Sequence, residues 1–143
     1  EATLRSLYNA LYEHNVMLEG TILKASMVIA GKDCDEQADT EEVAEATLMC
    51  LRAAVPASVP GIVFLSGGQS DDAATAHLNA MNQMGPHPWP LSFSYGRAMQ
   101  TAALKLWAKD MQGNFAAAQK TVAQRARENG LAALGKWSAD AAG

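Results

Sequence analysis

Three times along this chain a short apolar, β-branched run gives way, through a polar or glycine-bearing turn, to a stretch with helical period. That alternation admits few folds. The first run, VMLEGTILK, spans Val16 to Lys24 around Gly20 and reads as a buried strand ending at Lys24. Before it, Leu4, Leu7, Tyr8, Leu11 and Tyr12 recur at helical spacing over Ala2 to His14, with Asn15 as the stop. After it comes the polar loop GKDCDEQAD, residues 31–39. Asp39, with Glu42 three residues on, forms a capping-box pattern that opens a helix to about Val55, where Pro56 and Pro60 prevent continuation. The second strand is expected over Gly61 to Ser66, and Ser70 with Asp71 and Asp72 reads as the N-cap and first turn of a helix to about Gln83. Past the breaker cluster MGPHPWP, Leu91 to Tyr95 alternates as a third strand, and Gly96 with Arg97 opens a helix to about Asp110. A last helix follows Asn114 and runs to about Asn129, with Gly130 as its expected terminator and an alanine- and glycine-rich tail behind it.

A helix, three strand–helix pairs and a closing helix describe a parallel sheet built from right-handed βαβ units, an arrangement in which both faces of each strand are expected to be covered. The chain has 143 residues, 49% of them apolar, enough for one packed core. Three strands cannot close a (β/α)₈ barrel, which needs eight strands and about 250 residues. The sheet is therefore either small and open or part of something larger.

Charge and composition exclude several classes of partner. A formal charge of −4 opposes phosphate-tracking nucleic-acid binding, which needs clustered Lys and Arg to displace counterions. The longest apolar runs, such as Gly61 to Leu65, fall far below the ~20 residues that span a bilayer, and no charged-then-apolar leader opens the chain, so no membrane partner and a cytoplasmic setting are expected. Cys34 and Cys50 form no CxxC and read as free thiols of a reducing compartment. His14, His77 and His87 lack metal-ligand spacing, and the acidic set Asp33, Asp35, Glu36, Asp39, Glu41 and Glu42 reads as a solvated loop and helix start, so neither a metal nor a cofactor is expected. Trp89, Trp107 and Trp137 and the methionines, including Met27, Met81 and Met99, are expected as packing residues.

Chemically suggestive groups gather at one structural position. Lys24 ends the first strand, Ser66, Gly67 and Gly68 end the second, and Gly96 with Arg97 ends the third. Ligands of parallel α/β folds bind beyond the carboxyl ends of the strands, so the three groups are expected to line one mouth. Glycines at such a junction let backbone approach a ligand, and helix starts offer N–H donors to an anion. A tight turn explains the same glycines by conformation alone, but Arg97 at the neighbouring strand end adds a guanidinium suited to bidentate phosphate binding. Lys24 reads either as a side chain snorkelling to solvent or as a nucleophile whose neutral amine attacks a carbonyl to form an imine. Period two places Gly20, Ile22 and Lys24 on one strand face and Glu19 on the other, as a polar packing residue.

The segments LEGTILKASMV, GIVFLSGGQS, LNAMNQ and LSFSYGRAMQ, in that order and spacing, closely resemble the C-terminal part of class I fructose-bisphosphate aldolase, over essentially the whole chain. The resemblance implies an α/β fold, the TIM (β/α)₈ barrel, with residues 1–143 supplying its C-terminal segment. Residues 1–110 would be the last three βα units and 111–143 the C-terminal helix and tail. It implies Lys24 as the Schiff-base lysine, and Ser66, Gly67, Gly68, Ser94, Gly96 and Arg97 as the residues holding a sugar phosphate. The implied reaction is reversible cleavage of fructose 1,6-bisphosphate to dihydroxyacetone phosphate and glyceraldehyde 3-phosphate in glycolysis and gluconeogenesis. The protonated imine would be the electron sink that a metal supplies in the unrelated zinc type. The resemblance also implies a homo-oligomer, a tetramer, for the full-length protein.

The chain departs from the family at Lys24-Ala25-Ser26, where Lys-Pro-Asn or Lys-Pro-Ser is common, and it stops without the family's tyrosine-bearing tail. The family's acid/base carboxylates and a further active-site lysine come from earlier strands, and no position here matches them. Their absence motivates the alternative of a non-catalytic sugar-phosphate-binding or interaction module.

Overall fold

The structure, a computed structural model, describes residues 1–139; the end of the expected tail lies outside the described residues. Helix α1 (Ala2–Glu13) leads through a 3₁₀ turn (Leu18–Gly20) into strand β1 (Leu23–Ala25). There follow α2 (Thr40–Ala54), β2 (Ile62–Phe64), α3 (Asp71–Gln83), β3 (Leu91–Phe93), α4 (Arg97–Lys109) and α5 (Phe115–Ala132). The three strands are parallel, in the order β1-β2-β3, with Leu23, Ile62 and Leu91 in one row and Lys24, Val63 and Ser92 in the next.

Local chemistry sets the helix starts. The Asp39 carboxylate accepts from the Glu42 N–H at 2.9 Å while Glu42 accepts from the Asp39 N–H at 3.0 Å, so the capping box forms as expected. Ser70 Oγ accepts from the Ala73 N–H at 3.1 Å and caps α3. The acidic loop residues are exposed, and both cysteines are free.

Only one face of the sheet is covered, contrary to the expectation for a doubly covered sheet. Leu23, Ile62, Leu91 and Phe64 are buried beneath the helices, α2 packing on α3 and α3 on α4 and α5. On the opposite face Lys24 and Ser94 are exposed, Val63, Leu65 and Ser92 are half-buried, and Ile22 is 65% exposed. The cause is topological: strands added in sequence order, by crossovers of one hand, place every crossover helix on the same side. That is how a barrel is wound.

Boundaries also differ: β2 and β3 are shorter than the expected Gly61–Ser66 and Leu91–Tyr95, and the first strand and last helix depart further. The first strand begins at Leu23, not Val16, because Leu23 N–H donates to the Gly61 carbonyl and the residue before Gly61 is Pro60, which has no N–H to extend pairing. Gly20 and Glu19 consequently lie in the 3₁₀ turn, closed by Gly20 and Thr21 N–H bonds to the Met17 and Leu18 carbonyls, and Glu19 is exposed, not packed. Helix α5 passes through Gly130, whose missing Cβ faces open space. The left-handed stop is Gly135, at φ 65°, where the Lys136 and Gly135 N–H groups return to the Leu131 and Ala132 carbonyls.

Candidate functional site

Lys24 and the loops after β2 and β3 meet at the carboxyl ends of the strands, on the uncovered face. Leu65 N–H donates to the Ala25 carbonyl and Ser94 N–H to the Phe64 carbonyl, each at 2.9 Å, so the three strand ends are stitched in register. Across them the Lys24 ammonium Nζ donates to Ser94 Oγ at 3.1 Å, joining residues two strands apart. Among the described residues no carboxylate pairs with Lys24 or Arg97, so both cations remain available to an anionic ligand.

The glycine turn is shaped around Arg97. A Cβ at Gly67 would lie 3.0 Å from Leu65 Cδ1 and 3.4 Å from Arg97 Nη2, so the guanidinium rests close against a turn where a side chain would have to displace the ends of its neighbours. Gly68 takes φ 77°, and a Cβ there would come within 2.8 Å of Ile29 Cδ1. Replacing Gly68 by alanine therefore combines a left-handed penalty with a clash. We expect a loss of roughly 1–2 kcal/mol, read as a lower urea midpoint at unchanged slope.

The two helix starts at the mouth differ in charge. At α3 the Ser70 cap and the first-turn Asp71 and Asp72 already answer the positive helix end. At α4 the N-cap is Gly96, which offers no side-chain cap, the first turn carries no acid, and Arg97 adds a cation. Only the Ala98 N–H is drawn inward, donating to the buried Ser66 Oγ at 3.4 Å. An anion is therefore favoured on the Gly96–Arg97 side and against the backbone of Gly67 and Gly68, rather than on the α3 terminus itself.

Three buried polar features escaped sequence reasoning. Tyr95 donates its hydroxyl to the Ala74 carbonyl at 2.8 Å, and burial raises its phenol pKa far above the ordinary value, so it is a strut and not an acid. Arg125, Glu128 and Asn129 sit inside the stripe of α5 that also buries Ala118 and Ala132; charged and amide side chains at helical spacing with small apolar residues were the available signal.

The third is His77, whose Nδ1 lies 2.6 Å from Gln69 Oε1, next to the glycine turn. Burial lowers its pKa from the usual 6.5. The fold thus prefers neutral His77, and the unfolded chain protonates first as pH drops. The stability this preference contributes is complete above pH 6.5 and declines below it towards the lowered folded value. Denaturant midpoints at several pH values are expected to fall more steeply below pH 6.5 in the wild type than in His77→Gln.

An open parallel sheet with every crossover on one face, bearing its reactive groups at the strand carboxyl ends, defines part of a singly wound (β/α) barrel. The family model for "Fructose-bisphosphate aldolase class-I" matches residues 1–143. A probable fructose-bisphosphate aldolase class 1 of Xylella fastidiosa is 76% identical over 137 residues, 96% of this chain and 41% of that protein. Fructose-bisphosphate aldolase 1 of Toxoplasma gondii is 50% identical over the whole chain and 39% of its own length. The fructose-bisphosphate aldolase of Plasmodium falciparum, solved with TRAP and a small molecule inhibitor, superposes with a TM-score of 0.90 at 46% identity, over 94% of this chain and 39% of that one. The chain belongs to the class-I fructose-bisphosphate aldolase family, and it spans about 40% of the length of the curated relatives it matches.

Proposed function

We propose that the protein carrying this chain cleaves fructose 1,6-bisphosphate reversibly into dihydroxyacetone phosphate and glyceraldehyde 3-phosphate through an imine on Lys24. The observation that carries this reading is the Lys24–Ser94 contact, which puts a primary amine on the open sheet face beside the loops bearing Arg97 and the glycine turn. The neutral amine adds to the C2 carbonyl and water leaves, giving a protonated imine. The C3–C4 electron pair then moves into that imine to form an enamine, while the C4 hydroxyl loses its proton and becomes the aldehyde. Protonation of the enamine at C3 and hydrolysis restore Lys24 and release dihydroxyacetone phosphate. Ser66, Gly67, Gly68, Ser94, Gly96 and Arg97 hold a phosphate of the substrate; the acid/base group belongs to earlier strands of the barrel, because no position here matches it.

The same reading makes residues 1–143 one segment of a single barrel domain in a cytoplasmic homotetramer that needs no cofactor. It is supported by family membership and by the finding that no helix among the described residues is long and apolar enough to cross a membrane. The test is borohydride reduction of the intact protein in the presence of dihydroxyacetone phosphate. The added mass is expected on the peptide containing Lys24; addition at another lysine, or none, overturns the mechanism.

A further inference from the structure

Arg125 lies on α5, away from the mouth, with its side chain 8% exposed. Its guanidinium nonetheless reaches the first turns of both helices that follow the anion-binding loops. Nη2 donates to the Asp71 carbonyl and to Thr75 Oγ1, each at 2.7 Å, on α3. Nε donates to the Ala98 carbonyl at 3.0 Å on α4. Nη1 donates to the buried Glu128 carboxylate at 2.6 Å, which offsets the charge, and to Asp72 at 3.2 Å at the surface. Thr75 Oγ1 donates to Asn129 Oδ1 at 2.8 Å while accepting from Arg125.

These contacts lead directly to the mouth. Asp71 stands three residues after Gly68, and Ala98 follows Arg97 and gives its N–H to Ser66. A planar fork that bonds both helix starts at once sets the distance between the 66–68 turn and the Gly96–Arg97 turn. Lysine cannot substitute, because a single ammonium on a flexible stem lacks the fork that spans both helices.

We propose that Arg125 is a positioning residue of the anion cradle, fixing the separation of its two halves and hence the preference for a phosphorylated over an unphosphorylated ketone. This inference rests on the imine reading above. It is tested on the intact protein by measuring second-order rates of borohydride trapping at Lys24 for dihydroxyacetone phosphate and for dihydroxyacetone. The ratio of the two rates counts only molecules folded well enough to form an imine, so partial unfolding cancels.

Arg125→Lys and Arg125→Met are both expected to lower that ratio at least about tenfold, because small displacements of positioning groups forfeit large factors. Dihydroxyacetone trapping per folded molecule is expected to stay within about twofold of wild type, since Lys24 and Ser94 are untouched. Asp72→Asn, which removes only the solvent-exposed partner, leaves the ratio unchanged. Should Arg125→Met fail to fold, Arg125→Lys, which keeps the buried stem and charge, gives the reading. A ratio within about twofold of wild type in the folded variants overturns the inference, as does equal loss for both ketones, the signature of a general structural role. A wild type that traps neither ketone at Lys24 instead removes the imine reading on which the inference stands.

Discussion

Under the proposed imine mechanism, Lys24→Met is expected to abolish borohydride trapping of dihydroxyacetone phosphate and to lower cleavage of fructose 1,6-bisphosphate in the intact protein by on the order of 10⁴- to 10⁶-fold, the scale on which a covalent nucleophile is lost. The substitution is close to isosteric, and Lys24 is an exposed side chain on the uncovered sheet face with one hydrogen bond, to Ser94. Stability is therefore expected to change by less than about 1 kcal/mol, and the loss cannot be ascribed to unfolding. What disappears is the electron sink. Without an iminium at C2, breaking C3–C4 would leave a carbanion with no delocalisation, and binding the phosphates cannot compensate for that. Phosphate binding, measured by protection of the protein against thermal unfolding by inorganic phosphate, is expected to persist. Substantial residual cleavage by Lys24→Met would mean that another amine, or another chemistry, carries the reaction.

How much of this was legible in the sequence depended on the distance over which each feature is determined. The capping box of Asp39 and Glu42 and the Ser70 cap are complete within four residues, and both stand where the sequence places them. That the ends of the first and third strands face one mouth was also legible, because parallel βαβ topology brings strand ends together whatever the intervening sequence; Ser94, which Lys24 meets across 70 residues, was named only through the family resemblance. Strand length was not, since a strand extends only as far as its neighbour can pair. The apolar run from Val16 did not reveal that Pro60 ends the ladder at Gly61. Gly130 and Gly135 were likewise indistinguishable by type; only the backbone shows which one takes the left-handed turn.

Coverage of the sheet departs from the sequence expectation for a related reason. Ile22, Val63 and Leu65 are apolar enough to predict burial on both faces, yet Ile22 is exposed and Val63 and Leu65 are only half-buried. In a closed barrel such residues point inward against the other strands, so their composition anticipates neighbours that this 143-residue chain does not itself provide. Arg125 stayed hidden because its partners Asp71 and Thr75 lie 54 and 50 residues away: its place on the small apolar stripe of α5 marks it as inward-facing, but nothing local shows what it bonds there.

Arg97→Ala is expected to separate the two chemical tasks proposed for the mouth. The Arg97 guanidinium is exposed, makes no ion pair among the described residues, and rests against Gly67. Its removal leaves no buried carboxylate without a partner, so the fold is expected to hold. A charge-assisted pair of hydrogen bonds to phosphate contributes about 1.5–3 kcal/mol, and the affinity for dihydroxyacetone phosphate should fall on the order of 100-fold. Trapping of dihydroxyacetone at Lys24 is expected to remain near wild type, because that ketone has no phosphate to lose contact with. A variant that bound the phosphorylated ketone as tightly as wild type would show that the anion sits elsewhere. The glycine turn would then have a conformational reason only: Gly68 at φ 77° closing the approach of β2 to α3.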